Sequence, residues 1–406
     1  MSASGSDLVS LDDVRAAARV LDEVAVRTPV EESRALSAAA GARVLLKCEH
    51  LQRTGSFKIR GAYYRISRLT DDERARGVAC ASAGNHAQGV ALSARLAGVR
   101  ATVFMPEGAP LPKVEATRAY GAEVVLTPGG FDDSASACAA WAEREGAVVV
   151  PPFEHPDIVA GQGTVGLEIA EQVPDAGSVV VAVGGGGLAA GVATAMKGLR
   201  PGVQVVGVQA EAVAPAAALL AGRPAQDGVR GHTIADGIAV KQPGALTMAH
   251  LRARLDGIVT VPDESIARAV LLLAERAKQV VEPSGAAPVA ALLDGALAGL
   301  PGPLVLVLGG GNVDPLLLLR ILRAGMGEEG RTWSFRTRLP DQPGALSAML
   351  ALIAREGANV VAVEHHRYGT RFELDEVEVY LELETRGGEH IAELREALRA
   401  DGYALD

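Results

Sequence analysis

Lys58 stands in Thr54-Gly55-Ser56-Phe57-Lys58-Ile59-Arg60-Gly61-Ala62, just after a small, flexible Gly-Ser pair and at the head of a stretch that reads as a helix over Ile59–Leu69. Lysine is the only side chain that forms a Schiff base with an aldehyde, so this position could carry an aldehyde cofactor. A lysine near a helix start is otherwise an ordinary solvated charge. Three glycine-containing loops elsewhere argue for the chemical reading. Gly184-Gly185-Gly186-Gly187-Leu188 follows the apolar run Val179–Val183 and precedes a helix expected over Ala189–Leu199. Consecutive glycines let backbone N–H groups converge on an anion where the helix dipole also favours negative charge. A plain strand-to-helix turn needs only one or two of them. The run lacks the Lys-Ser/Thr of a nucleotide P-loop and the second half of a dinucleotide fingerprint, so a small phosphate ester fits best.

Ser82-Ala83-Gly84-Asn85-His86 also joins a strand to a helix, and offers backbone donors, a hydroxyl and an amide that suit a substrate carboxylate. The alternative is Ser82 as a helix cap with Asn85 on the surface. His86 reads as structural, because next to a helix start the backbone does the donating. Gly309-Gly310-Gly311-Asn312 closes the buried strand Leu304–Leu308, at the rim where ligands of α/β sheets bind. A simple turn is the alternative there.

These loops need a scaffold that ends several strands side by side. Ser10, with Asp13 three residues on, resembles a capping box, and Val14, Ala17, Ala18 and Leu21 repeat at helical spacing up to Thr28-Pro29. Val44–Glu49 reads as a strand. Strands at Val78–Ala81, Ala101–Met105, Glu123–Leu126 and Ala147–Val150 then alternate with helices at His86–Leu96, Lys113–Ala119 and Asp132–Glu145. Such alternation implies a parallel sheet covered by helices. A second sheet is expected from Val179–Val183, Val203–Gln209 and Leu304–Leu308. Gly325, Gly327 and Gly330 suggest a linker over 326–330. Beyond it come a strand (Ser334–Leu339), a helix (Leu346, Met349, Leu350, Ile353), a strand (Asn359–Glu364), a strictly alternating strand around Val377–Leu383 and a helix (Ile391, Leu394, Leu398), with room for a short last strand. That order is ferredoxin-like α+β.

Composition narrows the function classes. The chain has 406 residues, 47 glycines, 3% aromatics and a formal net charge of −10. The length allows two or three domains, and the negative balance argues against nucleic acid or an anionic membrane as partner. Three widely spaced cysteines, Cys48, Cys80 and Cys138, fit a reducing cytosol; they form neither a disulfide framework nor a metal-ligand spacing. Met1–Ser10 has neither the basic flank nor the apolar core of a signal peptide, so a cytoplasmic protein is expected.

Ser56–Ala62, Ser82–Gly89, Gly184–Gly191, Glu282-Pro283-Ser284-Gly285-Ala286 and Gly310–Asn312 occur together and in order. In this the chain from Val14 to Leu322 resembles the threonine dehydratases (threonine ammonia-lyases), pyridoxal-phosphate enzymes of the tryptophan-synthase-beta-like fold type II. From Arg331 it resembles an ACT regulatory domain, on Asp341-Gln342-Pro343-Gly344-Ala345-Leu346 and Ala358-Asn359-Val360. The resemblance implies a catalytic region over 1–325, with a smaller three-layer α/β subdomain of about 50–152 inserted in a larger one (1–49 and 153–325), and an ACT domain over 331–406. It implies that Lys58 holds pyridoxal phosphate, that Gly184–Leu188 bind its phosphate, that Asn85 bonds its ring oxygen and that Phe57 packs on its face. It would place Gly309 beside the pyridine nitrogen. Ser82, Ala83, Gly84, Asn85 and His86 would receive the substrate carboxylate. Asp341, Pro343, Gly344, Ala345, Leu346 and Asn359 would receive a regulatory amino acid, and a homodimer or homotetramer is expected.

The activity so implied is dehydration and deamination of L-threonine, and of L-serine, to a 2-oxo acid and ammonia. Two departures from the family pattern stand out. Gly309 replaces the usual Ser, Cys or Thr that donates to the pyridine nitrogen, and Gln209 stands where related serine racemases have a glutamate metal ligand, so no divalent cation is assigned. A racemase is the alternative enzyme, but racemising relatives have a serine where this chain has Ala83. A non-catalytic amino-acid sensor is the alternative of another class, and intact Lys58 and Asn85 count against it.

Overall fold

The computed structural model describes residues 8–366 and 375–405, so most of the leading stretch Met1–Ser10 lies outside the described residues. The chain divides into two compact units, Met1–Leu318 and Leu319–Asp406.

Among the described residues, ten strands belong to the first unit. They are β1 (Val30–Glu32), β2 (Val44–Lys47), β3 (Val78–Ala81), β4 (Ala101–Pro106), β5 (Glu123–Thr127), β6 (Val148–Val149), β7 (Ser178–Ala182), β8 (Gln204–Ala210), β9 (Gly257–Val261) and β10 (Leu304–Val307). They form two sheets, ordered β1-β2-β10-β7-β8-β9 and β5-β4-β3-β6. Every pairing is parallel except β1 with β2. The four-stranded sheet lies wholly between β2 and β7 in sequence. The alternation of strands and helices read from the sequence is therefore present, and the larger sheet also takes in β1, β2 and β9.

Strands β7 and β10 are near-continuous valine and leucine because helices cover both faces; Val179, Val180, Val181, Val305 and Leu306 are each 0% exposed. Each such side chain contributes roughly 1.5–3 kcal/mol of burial. The Ser10–Asp13 capping box forms, but its helix covers only Leu11–Leu21 and not the run to Thr28. The chain turns there so that Val24 can join Ile59 and Leu92 in a small apolar cluster, and packing overrides local propensity. Cys48, Cys80 and Cys138 are all free and buried. Among the described residues, no helix is long and apolar enough to cross a membrane.

The second unit contains β11 (Thr332–Pro340), β12 (Asn359–His366) and β13 (Glu376–Glu384), an antiparallel sheet ordered β11-β13-β12, with helices Ala345–Arg355 and Gly388–Ala400. In β13 the alternation read from the sequence is realised, with Val377, Val379, Leu381 and Leu383 buried against Phe335, Met349 and Leu394. No strand follows Gly388–Ala400 among the described residues. The expected linker over 326–330 is a correction. Helix Pro315–Glu328 runs through Gly325 and Gly327, and only Gly330 turns, at φ +67°. Glycine in a helix costs only about 1 kcal/mol, and this helix buries Ile321 and Gly325.

Candidate active site

Lys58 opens helix Lys58–Ser67, one residue earlier than the sequence suggests. The segment before it is tied to the loop after β10. Phe57 N donates to Gly309 O at 3.2 Å and Gly311 N to Gly55 O at 2.9 Å. Asn312 Nδ2 donates to Thr54 O at 2.6 Å. Gly55 has φ +70°, and a Cβ there would collide with Asn312 Oδ1, so glycine is required for this approach. The Gly309–Asn312 loop is thus more than a turn, because it sets where the lysine segment begins.

A cavity of about 1000 Å³ opens in the first unit. Phe57, Lys58, Ser82–His86, Gly184–Leu188 and Gly309 all line it, so four stretches far apart in sequence share one site. Lys58 Nζ donates to Pro152 O at 3.1 Å and lies 5.3 Å from the Phe57 ring centre. Burial lowers the Lys58 ammonium to about 8, against the opposing pull of Glu282.

The glycine run lies between β7 and helix Gly187–Leu199, which starts two residues earlier than expected. Gly186 has φ +91°, and a Cβ on Gly185 would run into the Phe153 ring. The loop is therefore a tight cradle whose N–H groups, at a helix start, lack intrahelical acceptors. On the opposite wall Asn85 opens helix Asn85–Ala97, and Ser82 Oγ accepts from Gly84 N at 3.2 Å. His86 is structural, as expected. Its Nε2 pairs with Val150 O at 2.8 Å, and burial, then the Lys58 charge, push its pKa down to about 3. A Cβ on Gly309 would come no closer than 3.4 Å, to the Phe57 ring, which is ordinary contact.

Several site residues carry no role in the sequence reading. Glu282, only 6% exposed, accepts from Asn85 Nδ2 at 2.7 Å. Burial, then the charge of Asp236, raise its carboxyl to about 7. Asn312 Nδ2 donates to Asn85 Oδ1 at 2.8 Å. Lys113 and Asp236 pair at 3.2 Å and also line the cavity. Behind the lysine helix, Arg60 donates to Glu49 and Glu168, while Lys47 pairs with Glu168. For Lys47, Glu49 and Arg60 the only local signal is a charge among apolar neighbours.

The comparisons with known proteins cover almost the whole chain. Residues 21–310 match the family described as pyridoxal-phosphate dependent enzyme. The chain belongs to this family. The L-threonine ammonia-lyase of Thermotoga maritima is 45% identical over 399 residues, 98% of this chain and 99% of that protein. The crystal structure of a T.th. threonine deaminase covers 75% of this chain and 99% of its own at a TM-score of 0.70 and 44% identity. That of maize serine racemase covers 79% and 99% at a TM-score of 0.72 and 32% identity.

The site fits the cofactor of a pyridoxal-phosphate dependent enzyme. Lys58 can take the aldehyde, the glycine cradle after β7 can take the phosphate, and Asn85 keeps one amide N–H free of Glu282 for a ring oxygen. Gln209, at the suggested metal position, is spent internally, donating to Val183 O at 3.1 Å and accepting from Ala217 N at 2.9 Å.

In the second unit, Asp341, Pro343, Gly344, Ala345 and Leu346 form the turn from β11 into helix Ala345–Arg355, with Gly344 at φ +94°. Asn359 opens β12, and its Nδ2 reaches Glu384 at 3.3 Å. A cavity of about 340 Å³ in this unit is lined by Ala345 together with Arg338, Asp401 and Tyr403. The other five suggested regulatory residues do not line it.

Proposed function

We propose that this chain is an L-threonine ammonia-lyase, acting also on L-serine, that releases 2-oxobutanoate or pyruvate and ammonia. The observation that carries the reading is Lys58 in one cavity with the glycine cradle and Asn85, in a chain 45% identical across 98% of its length to a protein of that name. The test is direct: purified protein with pyridoxal phosphate is given L-threonine and the 2-oxo acid is measured. No 2-oxo acid from either L-threonine or L-serine would refute it.

The cofactor, when bound, supplies an electron sink for negative charge at the substrate Cα. The chain supplies position and proton transfer. The N–H groups of Gly184–Leu188 would hold the cofactor's phosphate, and Phe57, on the same cavity wall as Lys58, would flank its ring. Ser82 and the N–H groups at the start of helix Asn85–Ala97 hold the substrate carboxylate. Lys58 Nζ takes the proton at Cα and can pass it to the departing β-hydroxyl, which leaves as water; the enamine so released is hydrolysed by water to the 2-oxo acid and ammonia. Lowering the amine from 10.5 to about 8 raises its neutral fraction at pH 7 from roughly one in three thousand to roughly one in ten. His86, held neutral against Val150 O, adds no competing charge. Ala83 has no hydroxyl to return a proton from the other face, which favours elimination over racemisation.

The second unit is proposed as an ACT domain that binds a small amino acid such as isoleucine and changes threonine saturation, in a homodimer or homotetramer. What supports this is the β-α-β-β-α order and the glycine turn at Gly344, whose following helix start suits a carboxylate.

A further inference from the structure

Asn85 is held from both ends of its amide. Its Nδ2 donates to Glu282 Oε1 at 2.7 Å, and its Oδ1 accepts from Asn312 Nδ2 at 2.8 Å. Turning the amide over would set N–H against N–H at Asn312 and oxygen against oxygen at Glu282, losing both bonds. Neither partner can retreat. Asn312 also donates to Thr54 O at 2.6 Å. Glu282 is 6% exposed, its backbone N donates to Gly310 O at 3.0 Å, and a Cβ on Gly310 would collide with its Oε1. The carboxylate is thus pressed onto the same loop that carries Asn312.

We propose that Glu282 is a positioning residue that fixes the Asn85 amide so that its remaining N–H faces the cofactor. The proposal rests on the reading of Asn85 as a cofactor contact. Glu282 acts through Asn85 and need touch neither cofactor nor substrate.

The charges around the carboxyl make this anchor depend on pH. Asp236, on the turn Asp236–Ile238, raises the Glu282 pKa beyond the effect of burial; the Asn85 hydrogen bond, Lys113 on helix Leu111–Ala119 and Lys58 lower it, and the balance is about 7. An ionised carboxylate only accepts and so enforces one orientation of Asn85. The enforcement is complete well above pH 7 and is lost as pH falls through that value, when the carboxyl gains a proton and can donate.

The experiment titrates purified apoprotein with pyridoxal phosphate, without substrate, and follows both affinity and the visible spectrum of the bound cofactor. Glu282→Ala should weaken binding about tenfold, because the part-buried Asn85 N–H loses its acceptor, and should change the spectrum. Glu282→Gln keeps an oxygen acceptor and should restore affinity, but should lose the step in affinity near pH 7. Asp236→Asn should move that step to lower pH. Wild-type affinity and spectrum in Glu282→Ala, or an unchanged pH step in Glu282→Gln, would overturn the proposal. These readouts do not depend on which amino acid is turned over, so failure with threonine leaves them intact. A wild-type chain that takes up no pyridoxal phosphate would refute the cofactor reading and the proposal together.

Discussion

The Arg60 guanidinium, two residues beyond Lys58, grips both carboxylate oxygens of Glu49, each at 2.8 Å, with both side chains out of reach of water. Burial alone would raise the Glu49 pKa, but the charge and hydrogen bonds of Arg60, together with the Lys47 charge and the Thr28 hydrogen bond, hold it below its ordinary value. Removing one partner of such a pair strands the other. Arg60→Ala should therefore destabilise the protein by about 3–5 kcal/mol in urea unfolding. Because the Glu49 pKa is depressed on folding, the stability it contributes is present above the unfolded pKa and is lost as pH falls through the folded one. The variant should lose that part of the acid sensitivity. Unfolding curves that coincide with wild type would show that the pair is not a structural anchor.

Lys58→Ala should abolish both turnover and the visible absorbance of bound cofactor while circular dichroism stays unchanged. The side chain faces a cavity and its hydrogen bond goes to Pro152 O, so little packing depends on it. A coloured, active Lys58→Ala protein would dismiss the site assignment.

Gly185→Ala tests the cradle. Its Cβ would overlap the Phe153 ring, so either ring or loop must move. Affinity for pyridoxal phosphate should drop at least about tenfold, ~1.4 kcal/mol, and Phe153→Ala in the same chain should recover part of it. Unchanged affinity in the single variant would mean that the loop does not hold the phosphate.

Gly309→Ser should fold and should raise kcat, since its Cβ has contact room beside Phe57 and a hydroxyl would return a donor to this rim of the cavity. A loss of more than tenfold, ~1.4 kcal/mol in the barrier, would show that the glycine is needed for its size.

A chain ending after Gly330 should keep turnover but lose any shift of the threonine saturation curve caused by isoleucine or another small amino acid. Such a shift requires an effector that binds one state better than another. If the shortened chain responds just as the full chain does, the second unit is not the sensor.

The amino-acid sequence by itself determined the elements whose signals are local. Four glycines after a valine run, the alternation of β13 and the Ser10–Asp13 cap each depend on neighbours a few residues away, so the cradle, the wet-faced strand and the first helix start were legible. Element ends were less so. The first helix stops at Leu21 because Val24 has distant partners, and helix Pro315–Glu328 continues through glycines that read as a linker. What only the tertiary structure decided is how the site is held. Asn85 and Glu282 lie 197 residues apart, and a glutamate before a proline at a helix start reads the same whether it faces water or an amide. The shifted pKa values of Lys58 and Glu282 likewise come from burial and from charges on other elements, which exist only once the two sheets and their loops enclose one cavity.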